Sequence, residues 1–283
     1  MQNIIDGRLV SKEYRLEILE KVNELKSKNV HPKLAVILVG NDPASAVYVR
    51  NKQRACIETG IIPLQITLPE NTSESELLQE IDKLNRDDSV HGILVQLPLP
   101  KHISEQKVID SIDTAKDVDA FTHESVGRIV EGKYSFLPCT PAGIMKLLDY
   151  YGVQISGKDC VVIGRSNIVG KPMALLLLNA SGTVTVCHSK SKNLSEVAAR
   201  ADILVVAVGR AKFVTADMVK EGAVVVDVGI NRLEDGSLVG DVDFDSVSKK
   251  ASLITPVPGG VGPMTITMLM KNTLFAAENS IKK

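Results

Sequence analysis

Strand-like apolar runs alternate with helix-like periodic runs along almost the whole chain, and this alternation restricts the fold more than any other feature. A strand buried on both faces reads as a near-continuous apolar run, and a parallel partner can be reached only through a crossover connection, usually a helix. The pattern therefore predicts βαβ units and parallel sheets, an α/β fold. The run at 34–39 ends at Gly40, and Asp42-Pro43 reads as a helix N-cap with proline at the first helical position. The helix that follows is expected from about Ala44 to Thr59, stopped by Gly60. A second strand is expected at 62–68, and Ser73-x-x-Glu76 is a capping box opening a helix to about Asn85. A third strand is expected at 92–97, stopped by Pro98 and Pro100, with a helix at 104–112 after it.

Between residues 116 and 136 the pattern turns irregular, as at the approach to a domain boundary. Thr140-Pro141 is a second cap-and-proline pair, opening a helix stopped at Gly152. A new series of strands is expected at 159–163, 183–187, 203–208, 223–228 and 253–257, with a tight hairpin centred on Asp235-Gly236. The last helix is expected from near Pro263 towards Glu278 and should return to the first half. The expected organisation is thus two α/β domains: 1–138 with 264–283 packing back on it, and 139–263 as a Rossmann-like, doubly wound, mostly parallel sheet. The length of 283 residues accommodates both.

Composition removes several function classes. Lys+Arg 33 against Asp+Glu 34 gives a net charge of -1, so no general basic surface for nucleic acid is expected. No apolar run approaches the ~20 residues that span a bilayer, and the first residues lack a signal-peptide core. Cys56, Cys139, Cys160 and Cys187 are scattered without a C-x-x-C, which suggests neither a zinc site nor a disulfide framework and fits a reducing, cytoplasmic setting.

The segment Asp159-Cys-Val-Val-Ile-Gly-Arg-Ser-Asn-Ile-Val-Gly170 is a strand running into a glycine turn and a helix, the context of a dinucleotide-binding turn. The strict G-x-G-x-x-G is absent; Gly164 and Gly170 bracket the turn and Ser166 stands where the second glycine would be. A purely structural turn stays open on this segment alone. The next strand ends in His188-Ser-Lys-Ser-Lys192, with no acid to hold a ribose 2′-hydroxyl. Ser189, Lys190, Lys192 and Arg165 suit a 2′-phosphate, which favours NADP over NAD, although two lysines in a loop also suit plain solvation. Gly209, Gly229 and Ile230 follow later strand ends, where open α/β sheets bind ligands, and Asp227 fits a site role or a structural one equally.

In the first half, Tyr48 and Lys52 stand at i and i+4 on one helix face, about 5–6 Å apart at Cβ. A lysine handles protons only when burial or neighbours lower its pKa, and an exposed lysine on a charged helix is the commoner case. Gln96 interrupts an apolar strand and needs partners if buried. Asp117 and Asp119 lie in the irregular stretch, where a carboxylate can accept paired N–H donors from a flat heterocycle or serve as a turn acid. Pro256-Val-Pro-Gly-Gly-Val-Gly-Pro263 brings backbone close to a flat ligand or merely leads into the last helix.

Taken in order, Tyr48-Val-Arg-Asn-Lys52, Val95-Gln-Leu-Pro-Leu-Pro100, Lys116-Asp-Val-Asp-Ala-Phe121, Gly164-Arg-Ser-Asn-Ile-Val-Gly-Lys-Pro172 and Pro256-Val-Pro-Gly-Gly-Val-Gly-Pro-Met-Thr265 closely resemble the bifunctional methylenetetrahydrofolate dehydrogenase / methenyltetrahydrofolate cyclohydrolase family. The resemblance covers essentially the whole chain. It implies hydride transfer from 5,10-methylenetetrahydrofolate to NADP, then hydrolysis of the methenyl product to 10-formyltetrahydrofolate. It implies Lys52 as the main catalyst of hydrolysis, Gln96 positioning it, Tyr48 stacking on the folate and Asp119 anchoring the pterin edge. It further implies Gly164, Arg165, Ser166, Ser189 and Ile230 at the cofactor, and Leu97, Pro258, Gly259 and Gly260 at the substrate. Tetrahydrofolate derivatives are then the small-molecule partners, with a homodimer and no metal, nucleic acid or membrane. A dehydrogenase of similar build acting on another small substrate, such as a hydroxy acid, and a non-catalytic NADP-binding protein are the competing readings.

Overall fold

The protein is described by a computed structural model over residues 3–281. The chain forms two compact units, one of Lys12–Cys139 with Ile266–Lys283, the other of Thr140–Thr265 with the segment through Ser11. In chain order the first stretch holds α1 (Gly7–Ser27), β1 (Lys33–Val39), α2 (Pro43–Glu58), β2 (Ile62–Leu68), α3 (Glu74–Arg86), β3 (Gly92–Val95), α4 (Glu105–Asp110) and α5 (His123–Val130). The second holds α6 (Cys139–Tyr150), β4 (Asp159–Ile163), α7 (Gly170–Asn179), β5 (Thr183–Cys187), α8 (Leu194–Ala198), β6 (Ile203–Val206), β7 (Val224–Asp227), β8 (Asn231–Arg232), β9 (Leu238–Val239), α9 (Phe244–Val247) and β10 (Leu253–Ile254). The chain closes with α10 (Val261–Ser280).

In the first unit β2, β1 and β3 form a parallel sheet with β1 in the middle. Six of the seven β1 residues are buried, as a central strand covered on both faces requires. Asp42 caps α2 by accepting from the Ser45 N–H at 2.7 Å, with Pro43 behind it. The capping box of α3 is complete: Ser73 Oγ accepts from the Glu76 N–H, and the Glu76 carboxylate accepts from the Ser73 N–H. That cap aims Leu77, Ile81 and Leu84, one helix face, into a core shared with Ala35, Ile37, Ile93 and Val95.

In the second unit five parallel strands run in the order β10-β7-β6-β4-β5. After β5 the chain returns to the other side of β4, so β4 and β6 are neighbours where the winding reverses. The carboxyl ends of these two strands border the crevice that such sheets offer a ligand. The hairpin centred on Asp235-Gly236 is the turn between antiparallel β8 and β9.

Several details depart from the sequence expectation, among them β10, which ends at Ile254, three residues short of its expected run. The segment through Ser11 belongs with the second unit, because Asn3 and Ile5 exchange backbone hydrogen bonds with Ile254 at 2.8 and 2.9 Å. The stretch 116–136 contains α5, capped by Thr122, and is less irregular than its glycines suggest. The helix at 139 begins one residue early, so Thr140 is not its cap; its hydroxyl meets that of Thr265 at 3.0 Å. The strands β3 and β6 stop at Val95 and Val206, two residues short of the apolar runs that announce them. The helix α1, absent from the sequence expectation, is capped by Asp6, whose carboxylate accepts from the Arg8 and Leu9 N–H groups at 2.9 and 3.1 Å, and it buries Ile18, Val22 and Leu25 on one face.

Removing the cap and removing core volume separate local from tertiary contributions. Ser73→Ala is expected to lower unfolding free energy by about 1 kcal/mol, and Leu77→Ala, fully buried, by about 2–5 kcal/mol. Urea unfolding of both variants checks the order.

Candidate active site

Tyr48 and Lys52 lie on α2, and Gln96 follows the end of β3. The Gln96 N–H donates to Ile37 O at 2.8 Å, continuing the sheet by one bond. Its side-chain amide is then oriented from both ends: Nε2 donates to Leu97 O at 2.7 Å, which leaves Oε1 to accept from Lys52 Nζ at 3.0 Å. The ammonium group is thus pinned by one neutral acceptor. Burial lowers the Lys52 pKa, and the nearby Asp119, Cys139 and Cys56 oppose this without reversing it. Tyr48 is 46% exposed, its ring available to a ligand.

The loop at 116–122 separates its two acids. Asp117 is buried and accepts from the Thr122 N–H at 2.9 Å, the Ser125 hydroxyl at 2.7 Å and the Phe121 N–H at 3.2 Å. It is a structural knot. Between the knot and Asp119, Ala120 is driven to φ +57°, rare for a residue with a side chain. Asp119 is only partly buried and interacts electrostatically with Lys52. Burial raises its pKa; Lys52 pulls it down, Asp117 pushes it further up, and a hydrogen bond from Cys139 Sγ at 3.7 Å pulls it down. The amine and the carboxyl are therefore each shifted towards the neutral form. Asn272 on α10 holds this loop in place, donating to Val118 O at 2.8 Å and Leu137 O at 2.9 Å.

In the second unit the turn after β4 is shaped for close backbone approach. Gly164 has φ +132°, and a Cβ on it would lie 2.3 Å from Ala207 O. A Cβ on Gly170 would lie 2.3 Å from Gly164 O, so neither position admits another residue without a shift. Ser166 Oγ accepts from the Val169 and Gly170 N–H groups at 3.2 and 3.3 Å and so caps the start of α7. Arg165, Ser189, Lys190 and Lys192 are exposed together with Ser166. His188 is occupied in its own turn, its Nδ1 accepting from the Lys190 N–H at 3.1 Å. Ile230, 51% exposed, lines a cavity of about 160 Å³ with Gly229, Pro258, Gly259 and Gly260. The structure thus groups Tyr48, Lys52, Gln96, Leu97 and Asp119 in one unit, and Gly164, Arg165, Ser166, Ser189, Ile230 and Pro258 to Gly260 in the other. Among the described residues no three His, Cys, Asp or Glu side chains assemble as a metal group, and no helix is long and apolar enough to cross a membrane.

The catalytic-domain profile of the tetrahydrofolate dehydrogenase/cyclohydrolase family matches residues 5–119, and that family's NAD(P)-binding-domain profile matches residues 138–281. The chain belongs to this family. It is 59% identical over 279 residues to the bifunctional protein FolD of Acetivibrio thermocellus, covering 99% of this chain and 98% of that one. The crystal structure of the bifunctional FolD methylenetetrahydrofolate dehydrogenase/cyclohydrolase from Campylobacter jejuni superposes with a TM-score of 0.97 at 56% identity, covering 99% of each chain. The FolD enzyme of Trypanosoma brucei, solved with NADP and an inhibitor, superposes with a TM-score of 0.95 at 39% identity over 99% of this chain and 98% of that one.

Within this tetrahydrofolate dehydrogenase/cyclohydrolase chain, three residues at these sites carry no sequence signal. Cys139 and Asn272 reach the Asp119 loop only through the fold. Asp241 is fully buried near the ends of β6 and β7, where Asp227 stands too. Asp227 accepts from the N–H groups of Gly229, Asp241 and Val242, each at 2.9 Å, which resolves its role as structural. Burial pushes its pKa up to about 6, against the pull of those three donors. A carboxyl whose folded pKa exceeds its unfolded one binds more protons when folded, so its stabilising contribution is full below about pH 4 and is lost as the pH rises to about 6. Relative to Asp227→Asn, the native protein should lose unfolding free energy across that window; denaturant unfolding at stepped pH reads the difference in slope.

Proposed function

We propose that this protein is a bifunctional, NADP-dependent methylenetetrahydrofolate dehydrogenase and methenyltetrahydrofolate cyclohydrolase of one-carbon metabolism, oxidising 5,10-methylenetetrahydrofolate and hydrolysing the methenyl product to 10-formyltetrahydrofolate. The observation that carries the catalytic assignment is the Lys52 amine, held 3.0 Å from Gln96 Oε1, with its pKa lowered by burial and Asp119 within electrostatic reach. Lys52 takes a proton from the water that attacks the methenyl carbon and returns it to the ring nitrogen as the C–N bond opens, while the remaining hydroxyl proton leaves to solvent and the formyl C=O forms. Gln96 fixes the direction of Nζ, because its own Nε2 is committed to Leu97 O. Asp119 accepts the paired N–H donors of the pterin edge; those donors favour the ionised carboxylate that burial opposes. Tyr48 covers one face of the folate. Leu97 and the loop of Pro258, Gly259 and Gly260 complete the substrate contacts.

The second unit fits the cofactor. The Gly164 turn, closed to any side chain, lets the backbone approach the phosphates closely. Arg165 and Ser166 flank that turn, Ser189 with its lysines receives the 2′-phosphate, and Ile230 packs on the nicotinamide end. When bound, NADP supplies the hydride acceptor. Folate catalysis belongs to the unit of Lys12–Cys139 with Ile266–Lys283, and cofactor binding to the unit that contains Thr140–Thr265. The protein works as a homodimer in the cytoplasm.

Lys52→Ala is expected to lower hydrolysis of methenyltetrahydrofolate by about 10²–10⁴-fold while NADP binding stays within about twofold. Normal hydrolysis by the folded variant would remove Lys52 from the mechanism. Ser189→Asp is expected to raise the KM for NADP by like-charge repulsion and to leave that for NAD nearly unchanged. An unaltered preference in paired cofactor assays would move the 2′-phosphate elsewhere.

A further inference from the structure

The loop that follows β6 turns its backbone donors inward. Val208 and Gly209 donate their N–H groups to Asp241 Oδ2 at 2.6 and 2.9 Å, and Arg210 donates its N–H to Asp241 Oδ1 at 2.9 Å. Asn231 Nδ2 adds a fourth bond to Oδ1, also at 2.9 Å, which saturates the carboxylate. Three successive N–H groups converging on one point form an anion-binding nest. Here the nest is filled by a fully buried carboxylate of the chain itself. Asp241 is fixed in turn by Asp227, whose Oδ1 accepts from the Asp241 N–H, and by its own carbonyl, which accepts from the Val214 N–H at 2.9 Å. The space is closed to anything larger than hydrogen: a Cβ on Gly229 would lie 2.2 Å from Asp241 Oδ1, and one on Gly240 would lie 1.8 Å from Asp227 Oδ2.

This nest adjoins the cofactor turn. The strands β4 and β6 are paired, and Gly164 lies against Ala207, the residue before the nest. The glycine turn and the filled nest therefore stand side by side at the strand ends. Gly209 and Arg210 are meanwhile exposed, and the Arg210 guanidinium sits 4.5 Å over the Phe213 ring.

We propose that Asp241 is a positioning residue for the cofactor: by filling the nest at 208–210 it fixes the loop against which the dinucleotide lies and confines the phosphates to the Gly164 turn. This rests on the nucleotide-binding reading of the second unit. Hydrogen bonds to a charged group are among the stronger ones, so emptying the nest should cost NADP about tenfold or more in affinity.

The test is calorimetric titration of NADP into the native protein, Asp241→Ala and Asn231→Ala, with amide hydrogen exchange on each. Asp241→Ala is expected to bind NADP at least about tenfold more weakly. Sodium formate, which can refill the nest, should restore most of that loss, whereas sodium chloride at equal ionic strength should not. Faster exchange should be confined to residues 208–210. Asn231→Ala, which removes one of four donors, should weaken NADP by a smaller factor and keeps the test available if the alanine at 241 does not fold. Unchanged NADP affinity in either folded variant overturns the inference. So does exchange that rises throughout the sheet with no formate rescue, the mark of a purely structural carboxylate. Failure of the native protein to bind NADP would instead overturn the nucleotide reading, and this inference with it.

Discussion

Both sheets are built around parallel central strands buried on both faces, and the rest of the structure follows from that constraint. Once β1, β4 and β6 lie inside apolar cores, their backbone groups are satisfied by the ladder and their side chains carry no chemistry. The functional groups must stand where the ladder stops. Gln96 begins one residue after β3, Gly164 one residue after β4, and the nest at 208–210 two residues after β6. Each strand end also frees backbone donors and acceptors, and these orient the neighbouring side chains: Ile37 O holds Gln96, and Cys187 O receives the Gly164 N–H.

Buried charge at these ends is handled in two ways. Asp117 and Asp241 are surrounded by donors and act as internal anions that fix loops. Asp119 and Lys52 are under-satisfied by comparison, with one thiol and one amide oxygen as their hydrogen-bond partners, and burial moves each towards its neutral form. The contrast separates scaffold from chemistry within a single short loop, where Asp117 and Asp119 are two residues apart and Ala120 absorbs the backbone strain between their roles.

Much of this was legible beforehand because local rules govern it. The cap at Asp42-Pro43, the capping box at Ser73 and the strand runs follow from nearest-neighbour hydrogen bonding and from apolar periodicity, which survive in one dimension. The motifs at Tyr48-Lys52, Gln96 and Gly164 were legible through resemblance as much as through chemistry. What escaped has a common physical origin. Thr140 reads as a cap but lies inside a helix that starts earlier, and the segment through Ser11, with Asp6 capping α1, is captured by β10, about 250 residues away in sequence.

The fold class, the family, the strand and helix order and the residue types at both strand-end sites are written in the linear chain, because periodicity, caps and motif spacing are one-dimensional properties. Which acid is reactive and which is structural depends on the folded backbone. Asp117 and Asp119 are indistinguishable as letters; what separates them is the number of donors turned towards each carboxylate. The lowered pKa of Lys52 is of the same kind, since desolvation and the reach of Asp119, Cys139 and Gln96 exist only once distant segments have been brought together.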